Sequence, residues 1–258
     1  MTKKVIVLVS FVVLLVLWSI QSRDKRVKVV FCNVGQGDGV LVTRGSKQIL
    51  IDTGGGEGKI RGCLSRYMPF WDKSVDVVVI SHWDKDHSGG LGFIEKYYKV
   101  GMILCGERNS NDIEQKKCSE KLSQGDILRL GEVSFEVYWP TENSLGDTDD
   151  NNENSIVGLL SYRTNSILLT GDIDSEIEEL LVWRDIVGKV EILKASHHGS
   201  NTATSETLLD KVRPEEVVIS VGKNSFGHPS SEVIKRLEER NIKIRRTDKE
   251  GDIIYEWQ

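Results

Sequence analysis

The sequence predicts an α/β fold of two sheets packed between helices around a single site, and three observations carry that reading. Short apolar runs rich in Val and Ile repeatedly end in loops bearing carboxylates or imidazoles. The chain holds 24 Gly against 4 Pro, as many strand-to-helix turns require. From Ile167 onward the strand–loop–helix pattern of the first half returns, so chemistry-bearing loops arise in both halves. With 258 residues the chain can bury a sizeable core. The net charge of −5 excludes a generally basic nucleic-acid sleeve, so a polyanionic substrate would be held by local cations or metal. No repeat at solenoid period is present.

The N-terminus reads as a separate segment, 1–26, ahead of one domain, 27–258. Lys3 and Lys4 precede Val5 to Ile20, a charge-free run interrupted only by Ser10 and Ser19, and Arg23 to Arg26 follow. A basic start before an apolar core is the secretory pattern. Trp18, Ile20 and Gln21 stand where a small-residue cleavage site would be. The expectation is an uncleaved signal anchor, with a cleaved signal peptide as the alternative. Either places the domain outside the cytoplasm, membrane-anchored or secreted.

Val27 to Phe31, Val40 to Thr43 and Gln48 to Ile51 read as three strands, the last ending in Asp52-Thr-Gly-Gly-Gly56. A carboxylate there can orient a neighbouring group while the backbone passes close by. The loop has no Lys-Ser/Thr, so it is not a Walker loop. Gly58 to Met68 reads as a helix and Val75 to Ile80 as a buried strand. That strand leads into Ser-His82-Trp-Asp84-Lys-Asp86-His87-Ser-Gly-Gly90, four metal-ligand side chains within six positions. Their spacing cannot fall on one face of a helix or strand, so the loop curls around something, and His with Asp suits a hydrolytic metal pair.

Further strands are expected at Val100 to Leu104, Ile127 to Leu130, Val133 to Trp139 and Ile156 to Tyr162. Glu142 to Asp150 reads as a solvated loop. Ile167 to Thr170 is a strand ending in Gly171-Asp172, followed by an amphipathic helix from Ser175 to Trp183. Ile192 to Lys194 leads to Ser196-His-His-Gly-Ser200, and Glu216 to Val221 to a loop ending at His228-Pro229. A capping-box-like Ser230-Ser-Glu-Val opens a helix to about Arg240. Ile242 to Ile244 and Ile253 to Tyr255 close the chain as strands.

Four cysteines, at 32, 63, 105 and 118, match neither a zinc ribbon nor a disulfide miniprotein. Cys32 reads as a small core residue, whereas Cys105 and Cys118 flank a polar loop and form a candidate disulfide. All five histidines fall in loops after expected strands. With Asp84, Asp86 and Asp172 they supply enough donors for two divalent ions with positions left for water.

His-x-Asp-x-Asp-His-x-Gly-Gly, Thr170-Gly-Asp172 and Lys194-Ala-Ser-His-His-Gly-Ser200 together resemble the metallo-β-lactamase superfamily. With Val34-Gly-Gln-Gly-Asp38, Asp52-Thr-Gly-Gly and Gly227-His-Pro229, the pattern is similar to the ComEC-type domains of DNA-uptake proteins, over about residues 27 to 258. The resemblance implies an αββα sandwich and a hydrolase acting through metal-activated water, here most simply a phosphodiesterase or DNase. It implies two divalent ions, Zn²⁺ or Mn²⁺. His82 and Asp84 would serve the first, Asp86, His87 and His197 the second, and Asp172 both, with His198 as the alternative to His197. It further implies Asp86 and His228 as catalytic groups, and Asp52, Asn154, Ser200 and Asn224 as supporting or substrate-contacting residues.

Three departures stand out. Asp84 occupies a position where many members have a second His, no His lies between His87 and His197, and Asn33 replaces a frequent Asp. An oxygen-rich first site suits Mn²⁺ at least as well as Zn²⁺. No second apolar span is present, so a nucleic-acid uptake channel would be a separate partner. Two alternatives remain: hydrolysis of a small ester, lactone or β-lactam, and a non-catalytic binding protein. Lys116, Lys117, Lys243, Arg245 and Arg246 are scattered cations, and no aromatic interleaving marks a stacking platform.

Overall fold

Alternate residues of a strand face opposite ways, and here both faces of most strands are apolar, which requires cover on both sides. A computed structural model describes residues 2–23, 26–106, 117–142 and 152–258. In chain order the elements of the first half are α1 (Thr2–Arg23), β1 (Val27–Phe31), β2 (Val40–Arg44), β3 (Lys47–Ile51), α2 (Glu57–Tyr67), β4 (Ser74–Ile80), α3 (Lys85–Ser88), α4 (Leu91–Tyr97), β5 (Lys99–Cys105) and β6 (Glu120–Lys121). Then follow β7 (Ile127–Leu130), β8 (Val133–Trp139), β9 (Val157–Tyr162), β10 (Asn165–Leu169), α5 (Ser175–Trp183), β11 (Ile192–Lys194), α6 (Glu206–Val212), β12 (Glu216–Ile219), α7 (Ser231–Glu239), β13 (Lys243–Arg246), α8 (Thr247–Glu250) and β14 (Ile253–Trp257).

They form two mixed seven-stranded sheets, in the orders β14-β1-β2-β3-β4-β5-β6 and β13-β12-β11-β10-β9-β8-β7. Pairing is antiparallel from β14 to β3 and from β10 to β7, and parallel from β3 to β6 and from β13 to β10. Val27, Val29 and Phe31 of β1 meet Phe135, Leu160 and Ile167 of the other sheet in the central core. Val30 and Leu50 face outward onto Ile60, Leu64 and Ile94 of α2 and α4. Leu168, Leu193 and Val217 do the same onto Leu181, Leu208 and Leu237 of α5, α6 and α7. The result is the expected αββα sandwich. In β8, Val133, Phe135 and Val137 point into the central core while Trp139 joins the outer cluster. A register irregularity between Val137 and Trp139 makes that switch.

The strand ends at one edge carry the loops with Asp52, the His82 motif, Asp172 and the His197–His198 pair. That placement follows from parallel pairing, which aligns the ends of β3 with β4 and of β10 with β11 and β12.

Two expectations need correction. No helix among the described residues is long and apolar enough to cross a membrane, so the expected signal anchor and the localisation drawn from it do not stand. The charge-free run from Val5 to Ile20, broken by Ser10 and Ser19, falls short of the ~20 residues a bilayer core requires. Cys32 is buried in the core as expected, but it is bonded to Cys63 of α2, tying β1 to the helix that covers its sheet. Cys105 and Cys118 are joined as well. The loop expectation for residues 143–150 and the cation Lys116 lie outside the described residues.

Candidate metal centre

His82, Asp84, Asp86 and His87 leave β4 on a loop that curls into the short helix α3, with Asp84 at the N-cap position but its side chain making no capping bond. The chain runs so close to Val34–Asp38 that a Cβ on Gly37 would collide with the Asp86 carbonyl. Asp38 N donates to that same carbonyl at 3.2 Å. Asp52 has a positive φ of 60°, which turns its carboxylate back under this loop. Its Oδ1 accepts from Ser81 N and its Oδ2 from Ser81 Oγ, both at 2.7 Å.

The two buried imidazoles are oriented from behind. His87 Nδ1 lies 2.8 Å from Asp52 Oδ2, and His198 Nδ1 lies 2.8 Å from Ser220 O. A carbonyl only accepts, and Asp52 already serves as an acceptor, so each Nδ1 carries the proton and each Nε2 is left facing inward. The two Nε2 atoms are 3.3 Å apart. Asp172 Oδ2 sits 3.2 Å from the Nε2 of His87 and 3.1 Å from that of His198, and Asp86 Oδ2 is 3.3 Å from the latter. Four donors from three loops thus converge on one point.

His82 is beside them, its ring 4.0 Å from that of His87. Its Nδ1 contacts Ser81 Oγ and Ser155 Oγ at 3.1 Å each, and Ser155 Oγ also accepts from Asp172 N. His82 Nε2 is buried with no hydrogen-bond partner among the described residues. Asp84 Oδ2 is 4.0 Å from it. A buried imidazole nitrogen left without a partner is costly in a metal-free protein and is what a ligand position looks like. Burial first, and then the neighbouring His87, push His82 down to about 4, so it is neutral.

The rest of the centre is strongly polarised. Burial opposes charge on Asp172, but His198, His87 and Lys194 hold its carboxyl well below the usual range. Burial also opposes charge on His87 and His198; Asp172 with Asp52 holds His87 well above its ordinary value, and Asp172 with Asp86 and Asp38 raises His198 to about 9. Asp86 lies at about 2, since its bond to His198 and the charge of His87 outweigh burial. A cation bound between these imidazoles would displace protons from them, so metal affinity there would depend on pH.

Two residues at the centre were not among those the sequence singled out. Lys194, 1% exposed, places Nζ 2.5 Å from Asp38 Oδ2, 3.3 Å from Asp172 Oδ1 and 2.7 Å from Gly171 O. It therefore occupies Asp172 Oδ1 and leaves Oδ2 for the cluster. Asp38 stands on the Nδ1 side of both imidazoles, 3.8 Å from His87 and 3.7 Å from His198, behind the point where the Nε2 atoms meet. The signals were present in Val34-Gly-Gln-Gly-Asp38 and in Lys194-Ala-Ser-His-His, as a carboxylate in a glycine loop and a cation closing a buried strand.

Of the histidine pair, the structure brings His198 to the cluster. His197 and His198 both adopt left-handed backbone, φ 46° and 53°, so the two rings part. The His197 ring instead lies edge-on to His228 at 5.5 Å. His228 is half-buried, and burial, with His197 and His198 nearby, lowers it below its ordinary value. Asn224 is committed to its own loop: Oδ1 accepts from the backbone N–H of Phe226 and His228, and Nδ2 donates to Gly222 O and His228 O. Ser200 Oγ pairs with Thr202 Oγ1 at 3.0 Å. Asn154 is buried immediately before Ser155 at the edge of the centre.

An αββα sandwich whose edge gathers buried His and Asp in this order defines a metallo-hydrolase scaffold. Residues 32–223 match the Metallo-beta-lactamase superfamily, and the chain belongs to it. It is 28% identical over 256 residues to ComE operon protein 3 of Bacillus subtilis, covering 88% of this chain and 32% of that protein. It is 31% identical over 236 residues to Competence protein ComA of Neisseria gonorrhoeae, covering 90% and 32%. The chain thus spans about a third of the length of these curated relatives. The metallo-beta-lactamase fold protein YhfI from Bacillus subtilis superposes with a TM-score of 0.61 at 12% identity, over 91% of this chain and 100% of that one, which shows the fold. The resemblance to competence-protein domains is borne out, and among the described residues Asp38, His87, Asp172 and His198 bring ligand atoms within 4.8 Å of one another, a group that could hold a divalent cation.

Proposed function

We propose that residues 27–258 form a metal-dependent phosphodiesterase acting on nucleic acid. The observation that carries this reading is the convergence of His87 Nε2, His198 Nε2, Asp172 Oδ2 and Asp86 Oδ2 at 3.1–3.3 Å, beside the unpartnered His82 Nε2. Asp86, His87, His198 and Asp172 would hold one divalent ion, and His82, Asp84 and Asp172 a second. Such ions, when bound, lower the pKa of water toward ~7 and neutralise charge on a phosphoryl oxygen.

The protein's own residues do the rest. Asp52 and the Ser220 carbonyl fix the imidazoles, so no reorientation is needed as charge develops. Asp86, a third exposed, is the member of the cluster that faces both the centre and solvent, where a carboxylate held charged can orient a water. His228, neutral near pH 7 because its pKa is lowered, presents an N–H to a non-bridging oxygen. Asp84 in place of an imidazole makes the His82 side rich in oxygen, which favours harder ions and phosphate substrates over amide chemistry. The competence role in a relative's name supports nucleic acid as the substrate class.

The test is to strip metal, add back Mn²⁺, Zn²⁺ or Mg²⁺, and incubate with single- and double-stranded DNA and RNA. The expected result is cleavage with Mn²⁺ at least equal to that with Zn²⁺, abolished in His87→Ala and Asp172→Ala. Hydrolysis of a lactone or small ester without any nucleic-acid cleavage would overturn the substrate assignment.

A further inference from the structure

The loop between β12 and α7 presents Phe226 to solvent, 73% exposed, beside the centre. It is not a loose tip, because four hydrogen bonds from the Asn224 side chain hold the backbone from Gly222 to His228. The Phe226 ring lies 5.8 Å from that of His228, His228 lies 5.5 Å from His197, and His197 lies 6.3 Å from His198 at the cluster. A series of rings therefore leads from the centre to an exposed aromatic face.

Exposed cations flank the same lip. Lys223 is exposed in this loop, and Gly222 packs so tightly on Gly35 and Gln36 that a Cβ would collide with their backbone. Lys59, also exposed, folds its ammonium over Gly35. An aromatic face beside backbone-tracking cations is the arrangement that binds unpaired nucleotides, since every base has a π-face and stacking needs no particular sequence.

We infer that Phe226, with Lys59 and Lys223, forms a stacking subsite for an unpaired nucleobase next to the scissile phosphodiester, directing the enzyme to single-stranded nucleic acid. This rests on the phosphodiesterase reading. Duplex ends would engage it only by fraying, because a paired base buries its faces against its neighbours.

The experiment measures kcat and KM on a thymidine oligonucleotide and on an abasic oligonucleotide of the same length, for wild type, Phe226→Ala and Phe226→Trp. The expected result is a KM raised about tenfold by Phe226→Ala on the thymidine strand, with kcat retained, wild-type values for Phe226→Trp, and no change on the abasic strand. Lys59→Ala and Lys223→Ala should weaken both strands alike. Equal KM for wild type and Phe226→Ala on thymidine, or an equal loss on the abasic strand, overturns the stacking subsite while leaving the phosphodiesterase intact. Failure of wild type to cleave either strand overturns both.

Discussion

His198 and His197 differ by one position, and only one of them meets Asp172. Spacing cannot tell adjacent residues apart when both take left-handed backbone, and that is why the pair stayed open in the sequence. His87 and Asp172 were legible because each follows a strand in a distinctive motif. The residue-scale prediction is that His198→Ala lowers metal content sharply while His197→Ala retains it, read by mass spectrometry of metal after dialysis. Equal loss in both variants would contradict the geometry. Lys194 and Asp38 were less legible, because a lysine at a strand end and an aspartate in a glycine loop ordinarily face water. Lys194→Met would leave two buried carboxylates without their cation. It should cost about 3–5 kcal/mol in urea unfolding. Lys194→Met with Asp38→Asn should recover part of that loss; no difference between the single and double variants would show that the pair is not coupled.

At the scale of elements, most strands follow the periodicity within a residue or two. The helix α6 was missed although Ser205 caps it and Leu208, Leu209 and Val212 share its buried face. Seven residues is too short a run for periodicity to stand out beside the histidine motif. This helix and the His197–His198 loop are tied together by Glu178 of α5. Its carboxylate accepts from Ser196 Oγ at 2.6 Å, Thr204 N at 2.8 Å and Ser205 N at 2.7 Å. Burial raises the Glu178 pKa although these bonds pull it down. A raised carboxyl contributes stability below its unfolded pKa of 4.5 and loses it as pH rises through the folded value. Glu178→Gln should remove that dependence. At neutral pH it should also cost about 1–3 kcal/mol, because its amide would face a backbone N–H. Denaturant midpoints at acid and neutral pH read both, and a variant as stable as wild type at neutral pH would rule out the tether. The Cys32–Cys63 bond closes a separation of 31 residues, and losing a cross-link of this loop length costs about 3 kcal/mol. Reductant should therefore lower the unfolding midpoint, and Cys32→Ser should leave only the part of that effect due to Cys105–Cys118.

For the whole molecule, the two-sheet architecture was legible because strand, polar loop and helix recur in both halves, and parallel pairing then brings the loops to one edge. The membrane anchor was expected because a basic start precedes an apolar run, but no described helix is long and apolar enough to cross a membrane. The edge as a whole combines imidazoles pinned from behind, an unpartnered His82 and a carboxylate offering a single oxygen, and it is this combination that a divalent pair would complete. The most direct test is anomalous diffraction from crystals equilibrated with Mn²⁺ or Zn²⁺. Two peaks are expected on either side of Asp172 Oδ2, one ligated by the Nε2 atoms of His87 and His198 and the other by His82 Nε2. No peak at Asp172, or a peak on His197 in place of His198, would contradict the account.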